Sequence, residues 1–145
     1  MKSGTTILEL IIVIGVLAIV ISIAVPKIKG MQQSAQITKV KAELQTLQAA
    51  TESYASVNNG YYPVSPGYAY NMMESTLISS VPQIISSYML DPFTSQQYYY
   101  AESSNQQYYS WVSLGFASST GMAINNNGNV TIPFGAMCIT NGSGC

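Results

Sequence analysis

Residues 7–25, ILELIIVIGVLAIVISIAV, are long and apolar enough to cross a bilayer, yet Glu9 lies just inside the run. An acidic side chain in hydrocarbon costs roughly 2–3 kcal/mol even on lenient insertion scales, so a bare membrane anchor has no use for one. The charge calls for a partner. Scission after Gly4 would create one, a new α-amine on Thr5 with a pKa of about 8, one helical turn from Glu9. Within one chain the two groups lie on neighbouring turns; between staggered copies the amine of one subunit can neutralise the Glu9 of the next. The carboxylate then becomes an assembly determinant.

Two simpler readings compete. A secretory signal has an apolar core of roughly 7–15 residues and a small-x-small cleavage site, for which Ser22, Ile23 and Ala24 would serve weakly. This run is longer, Glu9 interrupts it and Pro26 follows. A plain single-pass anchor explains the length but not Gly4, Glu9 and Pro26 together.

The short basic leader ending in Gly4, then Thr6, Ile7, Leu8, Glu9, the apolar stretch and Pro26 resemble the N-terminus of type IV pilins and pseudopilins. The usual mature start in that family is a phenylalanine followed by TLIEL, where this chain reads TTILEL from Thr5. The resemblance implies a leader over residues 1–4, cut by a prepilin peptidase between Gly4 and Thr5, with methylation of the new Thr5 amine. It implies a transmembrane and filament-core helix over residues 5–26, with Glu9 and Pro26 as assembly residues, and a globular pilin domain over 27–145. Implied partners are further copies of the chain in a helical filament, the peptidase, an assembly-platform protein and a motor ATPase, with an outer-membrane pore in diderms. The precursor would wait in the inner membrane before joining an extracellular pilus on the cell surface.

Composition agrees with a small exported domain. Of 145 residues only 8% are charged and none is His; Ser, Asn, Gln and Tyr supply the polar surface, which suits packing against many copies of itself. All five cations, Lys2, Lys27, Lys29, Lys39 and Lys41, fall in the first third, and beyond them stand Glu43, Glu52, Glu74, Asp91 and Glu102. A globular part without cations lacks the main electrostatic term for phosphate binding, which argues against nucleic acid as a partner. Lys27 and Lys29 sit where lipid headgroups would be.

After Pro26 the pattern becomes amphipathic. Val40, Leu44, Leu47, Thr51 and Tyr54 recur at spacings of three and four, so one stripe can dock on a core. Asn58, Asn59 and Gly60 end it, glycine supplying a positive φ. Gly15 and Pro26 should bend or open the helix. The family implies one helix from Thr5 to Asn59; two helices hinged at Pro26 are the alternative. Residues 60–91 read as a connecting segment with turn chemistry at Pro63 and Pro66, and residues 74–90 as room for a short helix interrupted at Pro82.

Strand-like runs follow within residues 92–145, at 98–101, 108–114, 122–125 and 130–134, with Asn126, Asn127 and Gly128 as a tight hairpin. The expected fold class is α+β: a long N-terminal helix, apolar then amphipathic, packed on an antiparallel sheet of three or four strands, as in type IV pilins. Alternation along the strands would turn roughly half of the tyrosines outward.

The turn at Leu90, Asp91, Pro92 and Phe93 is similar to that of the major pseudopilin of type II secretion, a second reading of the chain. That family's acidic calcium loop has no counterpart here, because no Asp or Glu occurs from Ser103 onward. Cys138 and Cys145 are most simply one disulfide closing a Gly-rich loop, worth roughly 2–3 kcal/mol. Two thiols without His make a poor metal site. Such a loop is frequent in pilins and favours the pilus subunit. Catalytic constellations are missing: there is no His, no G-x-S-x-G and no phosphate-cradling motif, so no enzyme and no cofactor is expected. Asp91 is expected to stabilise the turn at Pro92 and Glu102 to face water. Asn129 and Asn141 head N-glycosylation sequons. A minor pilin acting as an adhesin is the third reading.

Overall fold

The computed structural model describes residues 6–64, 72–115, 117 and 121–145. Its first element, α1 (Ile7–Val57), begins at a side-chain cap. Thr6 Oγ1 accepts the N–H of Glu9 at 3.3 Å, and the Thr6 carbonyl accepts that of Leu10 at 3.2 Å. Thr6-x-x-Glu9 is thus the start of a capping box, which places an acid in the first turn where free N–H groups concentrate.

The helix is assigned without interruption through Gly15 and Pro26, so the expected opening there and the two-helix alternative both fail. A proline removes one N–H bond and crowds one carbonyl, and an otherwise helix-compatible sequence on both sides can carry that cost. At its C-terminus Asn59 and Gly60 both take positive φ, 57° and 80°, and the Gly60 N–H reaches back to Ala55 O at 2.8 Å. That is the stop anticipated from the Asn-Asn-Gly sequence.

Two compact units divide the chain, Met1–Ile37 and Thr38–Cys145. In the first, the large apolar side chains from Ile7 to Met31 are all exposed. The second has a core of its own, and the helix contributes Val40, Leu44, Leu47, Ala50, Thr51 and Ala55 to its buried set. The stripe read at spacings of three and four is therefore the buried face, with Tyr54 half-buried beside it.

α2 (Met72–Ser79) starts two residues earlier than expected and stops ahead of Pro82, whose bond with Val81 is cis. Five strands follow: β1 (Tyr99–Glu102), β2 (Tyr109–Ser113), β3 (Ala123–Ile124), β4 (Val130–Thr131) and β5 (Met137–Thr140). They form a three-stranded antiparallel sheet in the order β1-β2-β5 and a separate antiparallel pair β3-β4. The single sheet expected from sequence is thus two. The run at 130–134 is cut short after Thr131, Pro133 having no N–H to give a ladder. β5 lies outside the strand runs expected from sequence and takes the outer place beside β2.

The register sorts the sheet's faces. Tyr100 opposes Trp111, which opposes Ile139; these point toward α1 with Tyr98 and Tyr109 and share its core with Leu77 and Ile85. Tyr99, Val112 and Cys138 alternate with them and form a second cluster with Leu114, Met122 and Ile132. Both faces of the β1–β2 pair are covered. The expected outward half of the aromatics is accordingly absent from these strands: Tyr98, Tyr99, Tyr100, Tyr109 and Trp111 are all buried.

Candidate functional site

The residues expected from sequence are Gly4 and Thr5 for peptidase cleavage and Glu9 and Pro26 for assembly. Gly4 and Thr5 lie outside the described residues, and with them the cleavage point and the amine. Glu9 stands in the first turn of α1 with its side chain exposed. The stretch that follows is long and apolar enough to cross a membrane, and none of it is buried. Leu8, Leu10, Ile11, Ile12, Val13 and Ile14, which surround Glu9 in sequence, are each at least half exposed. One carboxylate is thus set in a wholly apolar, uncovered helix surface. Pro26 lies inside this helix, and one turn before it Ser22 gives its hydroxyl proton to Ile19 O at 2.8 Å.

The remaining carboxylates are occupied within the globular unit. Glu52 accepts two phenols, Tyr62 on Oε2 and Tyr109 on Oε1, each at 2.9 Å. Glu43 accepts the hydroxyl of Tyr98 at 2.5 Å and pairs with Lys39 at 3.6 Å. Lys39 is 55% exposed, so that ion pair adds little. Between these, Trp111 Nε1 donates to Thr51 Oγ1 at 2.8 Å, and that hydroxyl donates to Leu47 O at 2.8 Å. A polar seam therefore runs along the helix–sheet interface. Burial pushes the phenols of Tyr98, Tyr100 and Tyr109 far above the ordinary range, and their acceptor carboxylates push Tyr98 and Tyr109 the same way. Tyr62 is raised to about 12 by burial and by Glu52. No sequence pattern pairs residues some fifty-five positions apart, so the seam was not legible from spacing.

Asp91 holds its turn as anticipated. Its Oδ1 accepts the Phe93 N–H at 2.9 Å, its Oδ2 accepts Ser113 Oγ–H at 2.6 Å, and its backbone bonds to Gln96 and Ser95 close the loop. Glu102 is half-buried on β1, opposite Tyr109, and does not simply face water.

Cys138 and Cys145 form a disulfide, with Cα atoms 5.5 Å apart. Cys138 belongs to β5, and the loop after it docks on the turn between β3 and β4. Ser143 N–H donates to Gly128 O and Val130 N–H to Ser143 O, both at 2.8 Å, while Ser143 Oγ–H reaches Asn129 Oδ1 at 2.8 Å. Glycine is required here: a Cβ on Gly142 would stand 2.0 Å from Gly128 O, and one on Gly128, whose φ is +79°, would strike the Tyr108 ring. The loop thus ties the edge of the three-stranded sheet to the two-stranded one. Of the two sequon asparagines, Asn141 uses both ends of its amide, accepting the Tyr109 N–H and donating to Gln107 O.

Comparison with models of known families, with curated proteins and with solved structures finds no match for this chain.

Proposed function

We propose that the chain is the structural subunit of a type IV pilus or a related surface filament, processed after Gly4 and assembled through its N-terminal helix. The observation that carries the reading is Glu9, an exposed acid in the first turn of an otherwise apolar, uncovered helix. Lipid satisfies such a surface everywhere except at the carboxylate, where an unpaired charge at the bilayer centre costs about 2.5–3.5 kcal/mol on insertion scales and several-fold more in simulations. Packing against copies of the same helix satisfies both parts, provided each Glu9 meets the Thr5 amine of a neighbour.

The globular unit supports the same reading. It has a buried core of its own, and the apolar side chains from Ile7 to Met31 are exposed, a surface that can exchange lipid contacts for contacts with other subunits. Its carboxylates are largely spent on internal phenols and turns, leaving a hydroxyl- and amide-rich exterior suited to close packing. Peptidase, platform protein and motor ATPase would be its partners, and the inner membrane its store before export.

Intact mass spectrometry of protein sheared from cells, run without reductant, tests the proposal. Abundant material in the sheared fraction with a mass that starts at Thr5 and carries the disulfide is the expected result. Processed chain that stays with the cells would instead favour a secretion pseudopilin. A chain still starting at Met1, or starting at Val25, would overturn both.

A further inference from the structure

Glu74 has no place in the filament argument, yet it is among the most buried side chains of the molecule, 1% exposed. It projects from α2 toward the segment that follows. Its Oε2 accepts the Met89 N–H at 2.9 Å, and its Oε1, buried as well, has no hydrogen-bond partner among the described residues. The titratable neighbours that act on this site are anionic or neutral: Glu43 from α1 repels it, and Tyr98 in turn feels both carboxylates and Asp91. Lys39 is engaged with Glu43. A buried carboxylate with one hydrogen bond, an anionic neighbour and no cation beside it among the described residues favours the neutral acid, because burial costs the charged form far more hydration than the neutral one.

The near end of the segment that Glu74 grips is tied to Leu77 of α2. Ile84 N–H donates to Leu77 O at 3.2 Å and Ser80 Oγ–H to the same carbonyl at 2.8 Å, while Ile85 is buried in the core and Tyr88 stands half exposed. Near its far end the Met89 N–H depends on Glu74. We propose that Glu74 is a proton-dependent latch, holding residues 80–90 against the core while neutral and loosening them when it ionises.

Burial, with repulsion from Glu43, pushes the carboxyl up to about 7 against the opposing effect of the Met89 N–H. In an opened segment the acid would titrate at its ordinary value of 4.5. The closed form therefore keeps its proton longer than the open form. Its advantage is complete below pH 4.5, declines as pH rises, and levels off above about 7. Local opening should rise on the order of fifty-fold between about pH 5 and 8.

Amide exchange of residues 80–90, measured on the full chain in detergent and corrected for intrinsic rates, reads this directly. Wild-type protein should lose protection across that range, and Glu74→Gln, which keeps the acceptor but cannot ionise, should be flat. Glu43→Gln should lower the midpoint by removing the repelling charge. If Glu74→Gln does not fold, carbon-detected titration of Glu74 in the wild type decides together with Glu43→Gln. Protection that is flat in the wild type, an equal loss in Glu74→Gln, or a Glu74 carboxyl titrating like an exposed glutamate would overturn the proposal.

Discussion

Trp111 Nε1 donates its proton to Thr51 Oγ1 across 2.8 Å, and both residues are completely buried. One hydroxyl thereby fixes the indole of the central strand against the helix and, through its own proton, returns to Leu47 O at 2.8 Å. The contact turns a non-directional apolar interface into one with a defined register.

Thr51→Val keeps the shape and removes the acceptor, leaving the indole N–H buried without a partner. The expected loss is about 1–3 kcal/mol in denaturant unfolding of the full chain in detergent, with Thr51→Ser recovering most of it. A valine variant as stable as wild type would show that water or a shifted indole replaces the bond.

High pH should unfold the domain through its tyrosines. Their ordinary pKa is 10.0; in the fold Tyr62 lies at about 12 and Tyr98, Tyr100 and Tyr109 lie higher still. The unfolded chain gives up these protons first, so stability falls as pH rises above 10. Phenolate absorbance should show a delayed group, Tyr62, Tyr98, Tyr100 and Tyr109, that appears together with loss of near-ultraviolet circular dichroism. Titration of every tyrosine with the dichroism intact would contradict the buried seam.

Gly142→Ala should separate the two sheets. The added Cβ would sit 2.0 Å from a backbone oxygen, which cannot yield as a flexible side chain would. A destabilisation of about 1–3 kcal/mol is expected, with the amides of Val130 and Ser143 losing exchange protection ahead of those in β1 and β2. Uniform protection across all five strands would mean that the loop accommodates the methyl.

Glu9→Ala should leave membrane insertion and cleavage intact and abolish incorporation into filaments when the variant is the sole subunit. Electron microscopy of sheared fractions, with the cell-associated mature chain as the control, reads both. Normal filaments would remove the charge-pairing argument and leave Glu9 its local place beside the Thr6 cap.

Features that depend on near neighbours were legible. The buried stripe Val40, Leu44, Leu47 and Thr51, the left-handed stop at Asn59 and Gly60, and the hairpin between β3 and β4 each follow from a few consecutive residues. Thr6-x-x-Glu9 belongs to the same class, a capping pattern of four consecutive residues in which Glu9 is part of a cap as well as a charge. What sequence concealed depends on distant partners. Met137 and Cys138 carry no strong strand signature, and β5 exists because β2 offers Trp111 and Val112 as its neighbours. The burial of Glu74 and the coupling of Glu52 to Tyr62 and Tyr109 likewise appear only once helix and sheet are brought together.

α1 takes up its duties inside the domain only from Val40 onward, where its first buried residue lies. From Ile7 to Met31 its large apolar side chains are exposed. Exchanging one of these exposed apolar side chains for another of similar helix preference would therefore register weakly in the stability of the isolated subunit, however disruptive the change is to a cell. Heritable variation in this stretch would be filtered by the surroundings of the helix, and the pattern of tolerated residues there would amount to an imprint of whatever covers it.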